Sequence, residues 1–216
     1  MAAGNISSDE GRRSPRVIYL TLYNALFASF WASILITALA TQATEGRAAV
    51  YRTLESQSRW VQTFTLIEVV HAAVGLVKSP VGTTALQVVA RTIIVWMVCF
   101  SFPETTATSI AYPALLLSWA TADSIRYAYL ALNLHGKASD ALVWLRYTMF
   151  YPLYPIGIAS EWWLLYRAIE PAGRINPIIP FIFYFCLSLY IPGSYTMYTY
   201  MIKQRTKTLS KKNKAQ

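Results

Sequence analysis

The stretch Val17–Ala40, VIYLTLYNALFASFWASILITALA, runs for 24 residues without a charged side chain. A helix rises ~1.5 Å per residue, so this run crosses the ~30 Å hydrocarbon core of a bilayer with some length to spare. It is too long for the apolar region of a cleavable leader and shows no clear cleavage site, so it is expected as a retained first span. Five more apolar runs follow, roughly Trp60–Val77, Thr84–Phe102, Ser109–Leu132, Ala141–Ala168 and Ile178–Ile202. Between them stand Lys78-Ser79-Pro80-Val81-Gly82, Pro103 and Asn133-Leu134-His135-Gly136-Lys137, where proline, glycine and polar residues end helices.

Composition agrees. Of 216 residues, 55% are hydrophobic and 13% charged, against about 25% charged in a soluble domain. Backbone groups in hydrocarbon must bond within their own segment, which requires helices, and the alternating ten-residue segments of a β-barrel are absent. The expected fold is all-α, a bundle of six transmembrane helices over residues 17–202. A polar, disordered N-terminus, 1–16, precedes it, and a basic tail without structure, 203–216, follows. Residues 41–59, TQATEGRAAVYRTLESQSR, read as a polar connector.

The net charge is +9. Six spans place both termini on one side, together with Arg12, Arg13, Arg16, Lys78, Lys137 and the tail. Arg47, Arg52, Arg59, Arg167 and Arg174 fall on the other. The positive-inside rule then puts both ends in the cytosol. Nucleic acid is not an expected partner; the lipid bilayer is. The last five residues, Lys212-Asn213-Lys214-Ala215-Gln216, fit the K-x-K-x-x address that returns membrane proteins to the endoplasmic reticulum, and a cytosolic tail favours that reading. A solvated basic tail near anionic lipid fits the pattern alone equally well. Cys99 and Cys186 lie in apolar runs with no metal or disulfide spacing.

Charged groups inside spans cost ~2.5–3.5 kcal/mol each on insertion scales and default to functional readings. Here they are Glu68, His71, Arg91, Asp123, Arg126, Arg146 and Glu161. Glu68 and His71, three apart, resemble one half of a di-metal carboxylate motif, but the second copy is missing. They are expected to form a buried polar network engaging Arg91, and no metal is expected. Tyr154 and Glu161 are seven apart, so they share a helix face with Cα atoms ~10 Å apart. Kinks at Pro152 and Pro155 would draw their tips around one substrate, and Gly157 leaves room for a ligand or a close helix. By spacing alone, an interfacial tyrosine and a structural glutamate explain the pair more simply.

The run Tyr154-Pro155-x-Gly157-x-x-x-Glu161 resembles the 3-hydroxyacyl-CoA dehydratases of very-long-chain fatty acid elongation, also called the protein-tyrosine-phosphatase-like family. Further blocks carry the resemblance along nearly the whole chain. Tyr19-Leu-Thr-Leu-Tyr23-Asn24 comes first, then Glu68-x-x-His71-x-x-x-Gly75-Leu-Val-x-Ser79-Pro80-Val81. Phe102-Pro103-Glu104, Ile125-Arg126-Tyr127, Leu145-Arg146-Tyr147 and Tyr190-x-Pro192-Gly193 follow in order.

The resemblance implies a multi-pass enzyme of the endoplasmic reticulum that removes water from (3R)-3-hydroxyacyl-CoA to give trans-2-enoyl-CoA, with Tyr154 and Glu161 catalytic. It also implies working partners, namely the condensing enzyme, the ketoacyl reductase and the enoyl reductase. Phosphatase chemistry needs a low-pKa thiolate in a phosphate-cradling loop, and neither cysteine is near the motif. Dehydration needs a base at C2 and an acid at the C3 hydroxyl, which two side chains supply without a cofactor.

Burial favours a protonated carboxyl, suiting Glu161 to the acid role and leaving Tyr154 as base; the swapped assignment stays open. Arg126 and Arg146 are expected either to favour a phenolate or to hold CoA phosphate. Tyr127, Tyr147 and Ser160 are expected to support the site or contact CoA. Tyr154 would sit ~20 Å along span five, near mid-bilayer. Without the resemblance, a transporter or channel stands level with an enzyme, although the duplicated halves of many transporters are not visible. A noncatalytic scaffold of the elongation enzymes is the other alternative.

Overall fold

The computed structural model describes residues 14–213, and over them the chain is helical, with no strand among the described residues. Expectations for residues 1–13, and for the end of the retrieval signal at 214–216, lie outside the described residues. The first helix, α1, is Pro15–Thr44. Ser14 caps it by accepting from the Val17 N–H, and Pro15 occupies the first turn, where its missing N–H costs nothing. Then come α2, Arg47–Phe64, and α3, Ile67–Ala73. Next, α4, Val81–Ile93, runs directly into a π-helical turn, Ile94–Phe100. They are followed by α5, Pro103–Ala107, α6, Ala111–Asn133, and α7, Asp140–Thr148. The last two are α8, Phe150–Ile175, and α9, Ile179–Asn213.

Among the described residues, three helical stretches are long and apolar enough to cross a membrane: Pro15–Thr44, Val81–Phe100 and Ile179–Thr208. The outside of the molecule is greasy in the same places. Leu22, Leu86 and Phe181 are 65%, 68% and 73% exposed, a surface that water does not tolerate in such quantity and lipid does. Inside, α1 packs most extensively on α6, α6 on α8, and α8 on α9. Trp31, Ile34, Leu54, Leu115, Leu116 and Leu164 are nearly or wholly buried among them.

Three expectations change. The stretch 41–59 is not an irregular connector: α2 occupies most of it, with Val50, Leu54, Ser58 and Val61 buried at helical spacing and Arg59 buried beside them, paired with Glu55. Residues 203–213 are not without structure, because α9 continues through them to Asn213. The expected span 141–168 is two helices meeting at Met149. Pro152 has no N–H for the carbonyl of Thr148, so the ladder fails there.

Candidate active site

Glu161 lies on the inner face of α8, where Leu164, Leu165 and Ala168 continue the buried stripe. Its carboxyl is 7% exposed as a residue and is held from two sides. The indole Nε1–H of Trp119, on α6, donates to Oε1 at 3.0 Å. The hydroxyl of Tyr190, on α9, donates to Oε2 at 2.9 Å. Three helices thus converge on one acid, which fixes its orientation before any substrate arrives.

Two turns toward the N-terminus of α8 stands Tyr154, half-buried. Its ring stacks on Tyr198 of α9 with centroids 5.9 Å apart, and the Ser194 hydroxyl is within reach of its phenol. Pro155 removes the N–H that would bond the Tyr151 carbonyl, but α8 continues through it. Gly157, between the two residues, meets α6: a Cβ there would lie 3.7 Å from Ser118 Cβ and 3.8 Å from Trp119 Cδ1. Of the two uses expected for this glycine, a ligand or a close helix, the structure shows the close helix, which seats Trp119 against Glu161.

Beside the pair, a groove of about 450 Å³ runs between α8 and α9. Ile158, Ala159, Trp162 and Trp163 form one wall, and Tyr190 and Ser194 belong to the other. The groove is apolar and open-sided, and its wall residue Ile191 is 76% exposed. It therefore faces the surroundings of the bundle directly.

Behind the site lies a buried ionic network. Glu68 accepts from both arms of Arg126, at 2.8 and 3.0 Å, and from the Tyr127 hydroxyl. Arg126 also donates to Asp123 at 3.1 Å. Asp123 pairs with Arg91 at 2.7 Å, a charge contact without directed hydrogen-bond geometry. The Arg91 guanidinium then lies 4.0 Å from the centroid of the Trp119 ring. An unbroken set of contacts leads from α3 through α6 and α4 to the group that holds Glu161.

This places the residues singled out by sequence as follows. Arg91 does not engage Glu68 as expected; its acid is Asp123, because Arg126 already occupies both Glu68 oxygens. His71 leaves that pair too, with Nε2 2.8 Å from the Tyr19 hydroxyl and its ring edge-on to Tyr23. Arg126 and Tyr127 serve Glu68, and no contact joins either to Tyr154. Arg146 lies 5.8 Å from the Tyr147 ring, whose edge meets Tyr129. Ser160 is buried next to Glu161 in the chain.

Trp119 and Tyr190 were missed. Each is a polar-tipped aromatic inside an apolar run, a type that finds a hydrogen-bond partner when buried, and Tyr190 lies in one of the resemblance blocks.

The model of the protein tyrosine phosphatase-like protein family, PTPLA, matches residues 62–211, which contain Glu68, Arg126, Tyr154, Glu161 and Tyr190. The chain belongs to the PTPLA family. Among its relatives, the probable very-long-chain (3R)-3-hydroxyacyl-CoA dehydratase of Schizosaccharomyces pombe is 38% identical over 193 residues, covering 89% of this chain and 93% of that protein. The very-long-chain (3R)-3-hydroxyacyl-CoA dehydratase PASTICCINO 2A of Oryza sativa subsp. japonica is 37% identical over 210 residues, 91% of this chain and 95% of its own. The human very-long-chain (3R)-3-hydroxyacyl-CoA dehydratase 2 is 30% identical over 206 residues, 89% and 81% respectively. No solved structure matches this PTPLA chain.

Proposed function

We propose that this PTPLA protein dehydrates (3R)-3-hydroxyacyl-CoA to trans-2-enoyl-CoA in fatty acid elongation, with Tyr154 and Glu161 as its catalytic pair. The observation that carries the proposal is the buried Glu161 carboxyl, two turns from Tyr154 and oriented by Trp119 and by Tyr190, itself a wall residue of an apolar groove. The names of the relatives point to the same reaction.

In the reaction Tyr154, as its phenolate, takes the C2 proton and becomes a neutral phenol, and the electron pair of the C2–H bond forms the C2–C3 double bond. Glu161 supplies the proton that lets the C3 oxygen leave as water. The acyl chain lies along the α8–α9 groove, and its open side lets long chains extend into lipid. The CoA head stays at the polar end of the bundle. Arg146 is the better of the two arginines for its phosphates, since Arg126 is engaged by Glu68 and Asp123.

The chain crosses the bilayer six times with both termini cytosolic, in the endoplasmic reticulum, beside the condensing enzyme and the two reductases. Contacts at one end of the bundle support this topology. Arg16 donates to the Leu76 carbonyl, Thr21 meets His135, and Arg205 of α9 reaches Thr148. These contacts bring Arg16 to Leu76, near Lys78 in the chain, and Thr21 to His135, near Lys137, which supports grouping these basic residues on one side.

The test is to incubate the purified protein with 3-hydroxyacyl-CoAs of graded chain length and both C3 configurations, and to follow products by mass spectrometry. Loss of one water from the 3R substrates alone is expected. No loss from any of them, with a solute taken up by proteoliposomes instead, would favour a transporter.

A further inference from the structure

We infer that Tyr190 is a proton-transfer group of the site, relaying the proton of Glu161 to the leaving oxygen; this rests on the dehydratase reading above. An indole N–H donates and never accepts, so the Glu161 oxygen bonded to Trp119, Oε1, must be an acceptor. Any proton the carboxyl carries therefore sits on Oε2. The partner of Oε2 is the Tyr190 hydroxyl, 2.9 Å away: it donates to the carboxylate, and when Oε2 carries the proton the same hydroxyl turns to accept it, since a hydroxyl does both.

The groove supplies the second observation. Tyr190 is one of its wall residues, and Glu161 is not. The carboxyl communicates with the groove through the tyrosine. When the C3–O bond breaks, its electron pair leaves on oxygen, and the Tyr190 hydroxyl hydrogen follows to complete a water molecule. The Oε2 proton moves to Tyr190 in the same step, leaving Tyr190 neutral and Glu161 a carboxylate. Before the next turnover Tyr154 releases the C2 proton to water and Glu161 takes one up from water, so both groups are reset and the cycle closes without a co-reactant.

Tyr190→Phe removes the relay atom and keeps the ring that lines the groove. Steady-state kinetics of the purified wild type, Tyr190→Phe, Glu161→Gln and the double variant test the inference. The expected kcat of Tyr190→Phe is ~10²-fold below wild type, at the lower end of what a positioned proton donor contributes, with KM within ~3-fold. The double variant is expected to be no slower than Glu161→Gln alone. A Tyr190→Phe kcat within ~3-fold of wild type, a loss confined to KM, or losses that multiply in the double variant would overturn the relay.

If the phenylalanine variant does not purify as folded protein, difluorotyrosine placed at position 190 is the substitute. It keeps the hydroxyl and changes its acidity, so an altered kcat supports the relay and an unaltered one overturns it. Inactive wild type would sink the dehydratase reading and the relay with it. Active wild type and inactive Glu161→Gln beside an unimpaired Tyr190→Phe would sink the relay alone.

Discussion

Removing the Glu68 carboxylate strips the buried network of its only bidentate pair. Arg126 reaches Glu68 through Nη1 and Nη2 at 2.8 and 3.0 Å, with side-chain exposures of 24% and 16%. In Glu68→Gln one oxygen remains, but the new amide presents hydrogens toward the guanidinium. Breaking a buried pair from one side costs ~3–5 kcal/mol. Arg126 keeps Asp123 at 3.1 Å, which places this case near the lower bound, ~3 kcal/mol.

A double-mutant cycle of Glu68→Gln and Arg126→Met, read by SDS-titration unfolding in mixed micelles, isolates the pair. The expected coupling is ~2–3 kcal/mol, well above the ~0.6 kcal/mol that neutral hydrogen bonds average between membrane helices. A coupling at or below that average would refute the inference that the pair acts as a desolvated ion bridge. Because Arg126 orients Asp123 and Asp123 orients Arg91 under Trp119, Glu68→Gln is also expected to lower kcat. Normal turnover in the destabilised variant would separate the network from the site.

Other outcomes follow from the same contacts. Trp119→Phe keeps the ring beneath Arg91 and loses the donor to Oε1, and a ~10-fold fall in kcat is expected from a bond worth ~1.5 kcal/mol; steady-state assay of the purified variant checks it. Gly157→Ala adds a methyl at ordinary contact distance from Trp119 and is expected to fold with the wild-type melting profile, whereas Gly157→Leu displaces the indole and lowers turnover ~10²-fold. For topology, single cysteines at Ser79, Lys137 and Lys203, in a background with Cys99 and Cys186 replaced by alanine, are expected to react with an impermeant maleimide from the same membrane face, and one at Glu104 from the opposite face.

Much of the architecture was legible because lipid demands long uncharged runs such as Val17–Ala40, and a polar break such as Asn133–Lys137 stands out against them. The amphipathic α2 was not, since its buried stripe of Val50, Leu54 and Val61 is diluted by Arg47, Arg52, Glu55 and Arg59. At the site, Tyr154 and Glu161 share one helix, so their common face follows from spacing. Trp119 and Tyr190 lie 42 and 29 residues from Glu161, and nothing local announces which buried aromatic will meet which acid. Arg91 was assigned the wrong carboxylate for the same reason: Glu68 and Asp123 were both available, and tertiary packing chose between them.

The most direct measurement is dehydration of a 3R-hydroxyacyl-CoA by membranes containing equal amounts of wild type, Tyr154→Ala and Glu161→Ala. Enoyl-CoA formed by the wild type and abolished in both variants, at unchanged protein abundance, is the expected result. Near-normal turnover by either variant would contradict the assignment of that residue to the chemistry.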